Sequence, residues 1–240
     1  MSEWAGDRAA ELAANLADVR QRIELACAAA GRAASEVGLV AVSKTFPAAD
    51  VIALASIGQT VMGEARHQEA QPKAAEVART GVDVRWHFLG RLQRNKAAAV
   101  AAYATCVESV DRAELVPALA RGAISRGTPL DVLVQVDLER PLNPSRGGAD
   151  PAEALLIAAA VAAADGLVLG GVMAVAPRFA EPAAAFARLR EVSESLRREH
   201  PGAVVISAGM SGDLEAAIGA GSTLVRVGTA LFGRRSGALG

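Results

Sequence analysis

Eight short apolar segments alternate with longer segments of helical character along this chain from residue 37 onward. Short apolar segments rich in β-branched residues predict strands buried on both faces, and their alternation with helices predicts βαβ units around a parallel sheet. We predict strands at residues 39–43, 60–63, 84–89, 105–109, 130–137, 167–173, 204–207 and 223–227. Helices are predicted at residues 48–57, 64–79, 93–101, 112–126, 151–164, 181–200 and 214–220, with a short one after Gly228.

Eight strand-helix units in 240 residues predict a closed (β/α)₈ barrel, a TIM barrel, as a single domain over residues 1–240. An extra amino-terminal helix is predicted over residues 2–30, where apolar side chains recur at helical spacing. An open doubly wound sheet is the alternative architecture. No G-x-G-x-x-G segment follows the first predicted strand, which disfavours a dinucleotide-binding version of that alternative.

Charge and cysteine content restrict the classes of partner. The net charge is −1 and no block of Lys or Arg occurs, so neither nucleic acid nor an anionic membrane surface is an expected partner. Cys27 and Cys106 lie far apart without a C-x-x-C pattern, so neither a disulfide framework nor a metal site is expected. The polar amino terminus is unlike a secretory signal, and Asp165 interrupts the longest apolar stretch. We expect a cytoplasmic monomer whose partners are small molecules.

The first predicted strand, Leu-Val-Ala-Val-Ser, leads directly into Lys44. In parallel α/β folds the carboxyl ends of the strands face the ligand, and a partly desolvated lysine there can act as an amine nucleophile. The alternative interpretation is a lysine whose stem packs on the sheet while its ammonium group reaches solvent. This segment alone does not decide between a Schiff-base lysine and the structural role.

Other polar residues follow the predicted strands and are expected at the same mouth of the barrel. Arg226 lies inside the last strand, where alternation with Val225 and Val227 turns its side chain into the barrel. A buried guanidinium group needs an acceptor, which is either an internal carboxylate or an atom of a ligand. The full set expected at the mouth is Lys44, Glu64, His87, Asp111, Asp137, Ser207, Ser211 and Arg226.

Two turns rich in Gly, Ser and Thr follow the last two predicted strands. The first contains Ser207, Gly209 and Ser211, and the second is Gly228-Thr229. Glycines let the backbone approach a ligand closely, hydroxyl groups donate hydrogen bonds, and barrels often bind phosphate at this place. The turns therefore predict a phosphate cradle, although Ser211 and Thr229 could equally be helix caps.

A lysine on strand one, a phosphate cradle after strands seven and eight and an arginine on strand eight together suit pyridoxal 5′-phosphate. Its aldehyde would condense with Lys44, its phosphate would occupy the cradle, and its ring nitrogen would accept a hydrogen bond from Arg226. Because arginine does not readily give up a proton, the pyridine ring would stay largely unprotonated. Such a ring is a weaker electron sink than one that is paired with a carboxylate.

Several stretches that span almost the whole chain match one known family. They are residues 39–45, 63–64, 68–69, 86–96 (Trp-His-Phe-Leu-Gly-Arg-Leu-Gln-Arg-Asn-Lys), 171–174, 209–218 and 223–233. In these stretches the chain resembles the pyridoxal-phosphate homeostasis proteins, single-domain relatives of the alanine racemase barrel. The resemblance implies a (β/α)₈ barrel, an aldimine on Lys44, phosphate contacts from Ser211, Gly228 and Thr229, and Arg226 at the pyridine nitrogen. It also implies handling of vitamin B6 and of amino and keto acid pools without an established catalytic turnover.

Ser207, Met173 and His87 complete the residues expected around the cofactor. The ring of His87 is expected either near the cofactor or as a partly buried structural histidine beside aromatic neighbours. Two segments depart from the family pattern. Gly63-Glu64-Ala65 stands where the family has Gly-Glu-Asn, and in the loop at residues 137–147 Arg146 takes the approximate place of a family lysine, without an assigned role.

Two functions of different class follow from this site. The first is a carrier that holds pyridoxal phosphate, releases it, and makes transient contact with apo-enzymes or amino acids. The second is a racemase-like amino acid enzyme, which would need a second acid or base across the ring from Lys44. Tyr103 is the only tyrosine, and its place before strand four puts it at the wrong end of the barrel. We therefore rank the carrier first, the racemase second and a phosphosugar-binding barrel without cofactor third.

Overall fold

The computed structural model describes residues 3–139, 141, 147–177 and 181–233, with side chains described from residue 6 onward. Eight parallel strands form a closed barrel in chain order, as the alternation of segments predicts. The strands are β1 Gly38–Val42, β2 Val61–Glu64, β3 Arg85–Phe88, β4 Cys106–Val110, β5 Leu130–Gln135, β6 Leu167–Met173, β7 Val205–Ser207 and β8 Leu224–Val227. All eight predicted strands are confirmed, and their ends differ from the prediction by at most two residues.

The helices also follow the predicted order. They are α1 Glu3–Ala29, α2 Ala48–Ser56, α3 His67–Ala78, α4 Arg94–Ala101, α5 Val116–Arg126, α6 Pro151–Ala162, α7 Pro182–Glu199, α8 Leu214–Gly219 and α9 Thr229–Phe232. The prediction of helix from residue 64 is wrong, because Glu64 is the last residue of β2 and α3 begins only at His67. Residues 140 and 142–146 of the loop after β5, including Arg146, lie outside the described residues.

Side-chain alternation divides each strand between the barrel interior and the helical layer. On β1, Ala41 packs outward in the cluster that also contains residues of α1 and α2. Val40 and Val42 point inward, where a Cβ placed on Gly63 would lie 2.9 Å from Val40 and 3.3 Å from Val42. Lys44 lies two residues after Val42, the last residue of β1, and therefore keeps the inward parity, which directs it toward the mouth.

The core lies mainly between the sheet and the helices. α1 buries one face, with Leu12 at 0%, Leu16 at 2% and Val19 at 1% exposure. This face packs against α2, α8 and α9, near the place where β1 and β8 pair. Burial of this many apolar groups anchors the turns after β7 and β8, because α8 and α9 follow those turns directly.

Both cysteines, Cys27 and Cys106, are buried free thiols. Among the described helices, none combines the length and the apolar character that crossing a membrane requires.

Candidate cofactor site

Lys44 lies in the turn that follows β1 at the mouth of the barrel, and its side chain is exposed. Within the described part of the chain, its ammonium group makes no hydrogen bond or ion pair. The next residue, Thr45, has a φ of 72°, which is a left-handed conformation that costs free energy outside glycine. The carboxylate of Glu69 accepts a hydrogen bond from the backbone N–H of Thr45 and helps to hold this conformation.

A buried ionic cluster supports the Lys44 turn from the helical side. Nζ of Lys73 lies 2.5 Å from Oε1 of Glu64 and 3.2 Å from Oε1 of Glu69. Lys73 also donates to the carbonyl oxygen of Ser43 at 2.9 Å, and the Ser43 hydroxyl donates to Glu64 at 2.8 Å. The cluster therefore ties the end of β1 to the end of β2 and to α3, and it holds the backbone that carries Lys44.

This geometry corrects the expected position of Glu64. The sequence places it at the carboxyl end of β2 and therefore among the mouth residues, but its side chain points outward to Lys73. Gly63 takes the inward position beside it. Burial raises the pKa of Glu64, although the hydrogen bond and the charge of Lys73 oppose that rise.

A second buried cluster fills the upper interior of the barrel and is centred on Glu108 of β4. Oε1 of Glu108 lies 2.6 Å from Nδ1 of His87, and its Oε2 accepts a 2.6 Å hydrogen bond from the Ser207 hydroxyl. Arg226 donates to the Ser207 oxygen at 2.6 Å and to the carbonyl of Ala174 at 2.7 Å. Its guanidinium lies 3.8 Å from Glu108, so the cluster joins β3, β4, β7 and β8.

The Glu108 cluster explains how a charged arginine can remain inside the barrel. Burial alone would raise the pKa of Glu108, but the hydrogen bond and charge of His87, together with Arg226 and Ser207, hold it below its usual value. The carboxylate is therefore ionised at neutral pH, and it serves as the internal partner of Arg226. A guanidinium group has five N–H donors, and only two of those on Arg226 have partners among the described residues.

The two turns predicted to form a phosphate cradle meet in the structure. The Ser211 hydroxyl accepts a hydrogen bond from the backbone N–H of Ala230 at 3.3 Å, and the Gly209 carbonyl accepts from Arg226 N–H at 2.9 Å. Gly228 lies against β1, since a Cβ there would stand 3.3 Å from the carbonyl oxygen of Val42. The cradle therefore adjoins the strand that carries Lys44.

Ser211 does cap the short helix α9, as the alternative interpretation of the turns expected. Thr229 makes no side-chain hydrogen bond in the described part of the chain, and it is exposed at the mouth. Met173 lies deeper, at 2% exposure, and packs with Cys106 and Leu133 inside the barrel. Its predicted contact with a cofactor stays a prediction.

Sequence reasoning missed Glu108 and Lys73, the two residues on which the buried clusters depend. A signal for Glu108 exists, because it is a carboxylate inside the otherwise apolar and buried segment Cys106–Val110. Lys73 gives a weaker signal: it lies four residues after Glu69 on a helix, a spacing that is common on exposed faces.

His87, Cys106 and Glu108 place potential metal ligands within 4.8 Å of one another. The site does not suit a cation, because both oxygens of Glu108 are engaged by His87 and Ser207 and the Arg226 charge lies beside them. Burial also raises the pKa of Cys106, so its thiol stays protonated and is a poor metal ligand.

Tyr103 lies outside the barrel, between the end of α4 and the start of β4. Its ring stacks on His67 with 5.9 Å between ring centroids, and burial raises the pKa of its hydroxyl. The backbone of Tyr103 precedes β4, as the sequence predicts, while its ring lies outside the barrel beside the start of α3.

The fold and the lysine at the end of β1 define the barrel class of the alanine racemase N-terminal domain, and the model of that family matches residues 8–236. Within that class, the chain belongs to the pyridoxal phosphate homeostasis protein family. It is 43% identical to the pyridoxal phosphate homeostasis protein of Mycobacterium tuberculosis, with 95% of each chain covered.

Solved structures agree with this assignment. A protein of unknown function from Bifidobacterium adolescentis superposes with a TM-score of 0.87 at 32% identity, with 97% of each chain covered. PipY of Synechococcus elongatus, solved with PLP bound, superposes with a TM-score of 0.78 at 33% identity and covers 92% of this chain and 100% of its own.

Proposed function

We propose that this chain holds pyridoxal 5′-phosphate reversibly through Lys44 and takes part in vitamin B6 homeostasis. The observation that carries the proposal is the arrangement at one barrel mouth of an unpaired lysine, a backbone cradle and a buried arginine. The relatives support it, because they are named for pyridoxal phosphate homeostasis and PipY is described with PLP bound.

The amine is assigned by elimination among the lysines of the chain. There are only three, at positions 44, 73 and 96. Lys73 is buried and bound to Glu64 and Glu69, and Lys96 lines a cavity outside the barrel. Pyridoxal phosphate supplies an aldehyde that bonds covalently to a primary amine. Lys44 supplies the exposed amine, and the cluster behind it keeps that amine at the mouth.

The remaining contacts follow from the donors that the mouth presents. The hydroxyl groups of Ser211 and Thr229 would donate hydrogen bonds to a phosphate. Gly228 has no side chain and leaves room for the phosphate to approach the backbone. Arg226 would donate a hydrogen bond from one of its free N–H groups to the pyridine nitrogen, while Ser207 and Glu108 hold the guanidinium group in place. His87 and Met173 would pack beside or below the ring.

The same residues favour reversible binding of the cofactor over catalytic turnover of amino acids. A buried arginine offers a donor and no proton to the ring nitrogen, so the ring gains little electron-withdrawing power. The ring of Tyr103 lies outside the barrel, stacked on His67, and His87 is bound to Glu108 through Nδ1. We further infer a monomer that passes its cofactor to apo-enzymes. We also infer a cytoplasmic location, which the two buried free thiols support.

The proposal is tested by titrating purified apo-protein with pyridoxal phosphate and recording visible absorbance and binding. Wild type and Lys96→Ala should show the same visible spectral change on binding, whereas Lys44→Ala should lose it. Transfer to an apo-enzyme should follow, and L-alanine should show no racemisation above that caused by the free cofactor. Racemisation at roughly one turnover per second or faster would favour the racemase instead.

A further inference from the structure

A cavity of about 570 Å³ lies outside the barrel, between the turn from β2 to α3 and the turn from β3 to α4. Lys44, Arg226, Ser211 and Thr229 do not line it, so it is separate from the cofactor site. We propose that this cavity is a second binding site, for a small molecule that carries a phosphate group. The segment at residues 86–96 supplies much of its wall, and His87 is the only member of that segment with a role in the proposed cofactor site.

The wall of the cavity carries an excess of positive charge. Arg66, Arg91 and Lys96 line it, and none of them makes an ion pair within the described residues. Arg112 also lines it, but it is bound to Asp111 at 2.5 Å and to the Leu92 carbonyl at 2.6 Å. Among the described residues, no Asp or Glu lines the cavity. Three cations around one concavity repel one another, so a bound anion would relieve that repulsion.

Backbone donors point to the same anion. Arg66 and Gln93 are the residues before the first turns of α3 and α4, and both line the cavity. Neither helix has a side-chain cap among the described residues. The first backbone N–H groups of both helices can therefore donate to a bound ligand. Two such helix ends beside arginine side chains suit the several oxygens of a phosphate, which accepts from backbone and guanidinium donors together.

The cavity is built by tight backbone packing. A Cβ on Gly90 would lie 1.8 Å from the carbonyl oxygen of Ala65, so the two turns touch main chain to main chain. Below them, Phe88 and Leu92 are almost fully buried, and His67 is stacked on Tyr103. Burial and the charge of Lys96 lower the pKa of His67, which agrees with a positive potential in the cavity. The site is therefore formed before a ligand arrives.

The volume of the cavity indicates a ligand larger than an inorganic ion. Ligand cavities of roughly 300 to 1,000 Å³ hold small organic molecules, so this cavity has room for a phosphate and the carbon group attached to it. Gln68 and Gln93 offer amide groups to hydroxyl or carbonyl groups on that remainder. A phosphomonoester of a small polar molecule fits these donors.

The test is a titration of the full chain, monitored by two-dimensional amide NMR. Inorganic phosphate, glycerol 3-phosphate and succinate are added in separate titrations at constant ionic strength. The amides of Gln68 and Asn95 report on the cavity, and those of Ser211 and Thr229 report on the cradle. The variant Arg91→Gln/Lys96→Gln removes two cations from the cavity. Arg197→Gln/Arg198→Gln removes the same charge from an exposed part of α7 and is the matched control.

We expect saturable shifts of the Gln68 and Asn95 amides in wild type and in the α7 control. The cavity variant should bind at least about tenfold more weakly there, because each charged donor contributes strongly to an oxyanion. Chemical-shift changes confined to the cradle amides would overturn the second site. Changes at Gln68 and Asn95 that do not saturate, or that are equal in the cavity variant and the α7 control, would also overturn it. Tighter binding of succinate than of glycerol 3-phosphate would overturn the choice of phosphate.

Discussion

Replacing Glu108 by glutamine tests whether the cluster inside the barrel is ionic. The substitution keeps the size of the side chain and removes one negative charge from a position with 0% exposure. Two short hydrogen bonds, from His87 and Ser207, then end on a neutral amide, and Arg226 loses the carboxylate 3.8 Å away. No acidic group in the described part of the chain would then pair directly with the buried Arg226, and the charge of Asp213 would act on it from farther away.

The expected cost follows from these contacts. Removal of one partner from a buried ion pair typically costs about 3 to 5 kcal/mol, because the other charge is left uncompensated. Glutamine can still accept one of the two hydrogen bonds, so we expect a loss near the lower limit, about 3 kcal/mol. For a chain of this size, that loss corresponds to a decrease in Tm of roughly 6 to 12 °C.

Urea unfolding at pH 7, followed by circular dichroism, gives the free energy of unfolding of each variant. Glu114→Gln, an exposed carboxylate before α5, is the matched control and should change it by no more than about 0.5 kcal/mol. If Glu108→Gln is folded and also loses less than about 1 kcal/mol, Glu108 is not the ionised partner of Arg226. The account of the barrel interior would then be wrong.

Three further predictions concern the two buried clusters. The loss of unfolding free energy in Glu108→Gln should become smaller as the pH falls below about 4.5. The folded-state pKa of Glu108 lies below its unfolded value, so the stabilisation by the carboxylate disappears on protonation. A loss that stays constant down to pH 3 would contradict this. In urea unfolding, Lys73→Met should destabilise the fold by about 3 kcal/mol at pH 8 and by less at pH 5. The reason is that burial raises the pKa of Glu64, which can take up a proton at the lower pH. Equal losses at both pH values would argue against the ion pair between Lys73 and Glu64. Arg226→Gln should leave covalent binding at Lys44 intact but change the visible spectrum of bound pyridoxal phosphate, whereas an unchanged spectrum in a folded, loaded variant would remove Arg226 from the ring nitrogen.

The architecture could be predicted from sequence because it depends on local patterns. Each apolar segment of the right length becomes a strand, and eight of them can close a barrel. The inward direction of Arg226 also follows from alternation within β8. Its partner could not be found this way, because Glu108 lies on β4, and the pairing depends on how distant strands are staggered around the barrel.

Glu64 shows how a small boundary error changes a site. The sequence suggests that this residue opens a helix at the barrel mouth, whereas the structure makes it the last residue of β2. Since successive strand residues face opposite sides, the glycine before it takes the interior and the carboxylate turns to Lys73. The support behind Lys44 therefore depends on the exact end of β2, which the apolar pattern leaves open by one residue.

Lys44 is the residue that we propose holds the cofactor. The most direct measurement loads the protein with pyridoxal phosphate, reduces it with borohydride and maps the modified peptide by mass spectrometry. With only three lysines in the chain, the assignment is unambiguous. The account predicts a pyridoxyl group on Lys44 and none on the Lys44→Ala variant treated in the same way. A pyridoxyl group found only on Lys73 or Lys96 would contradict it.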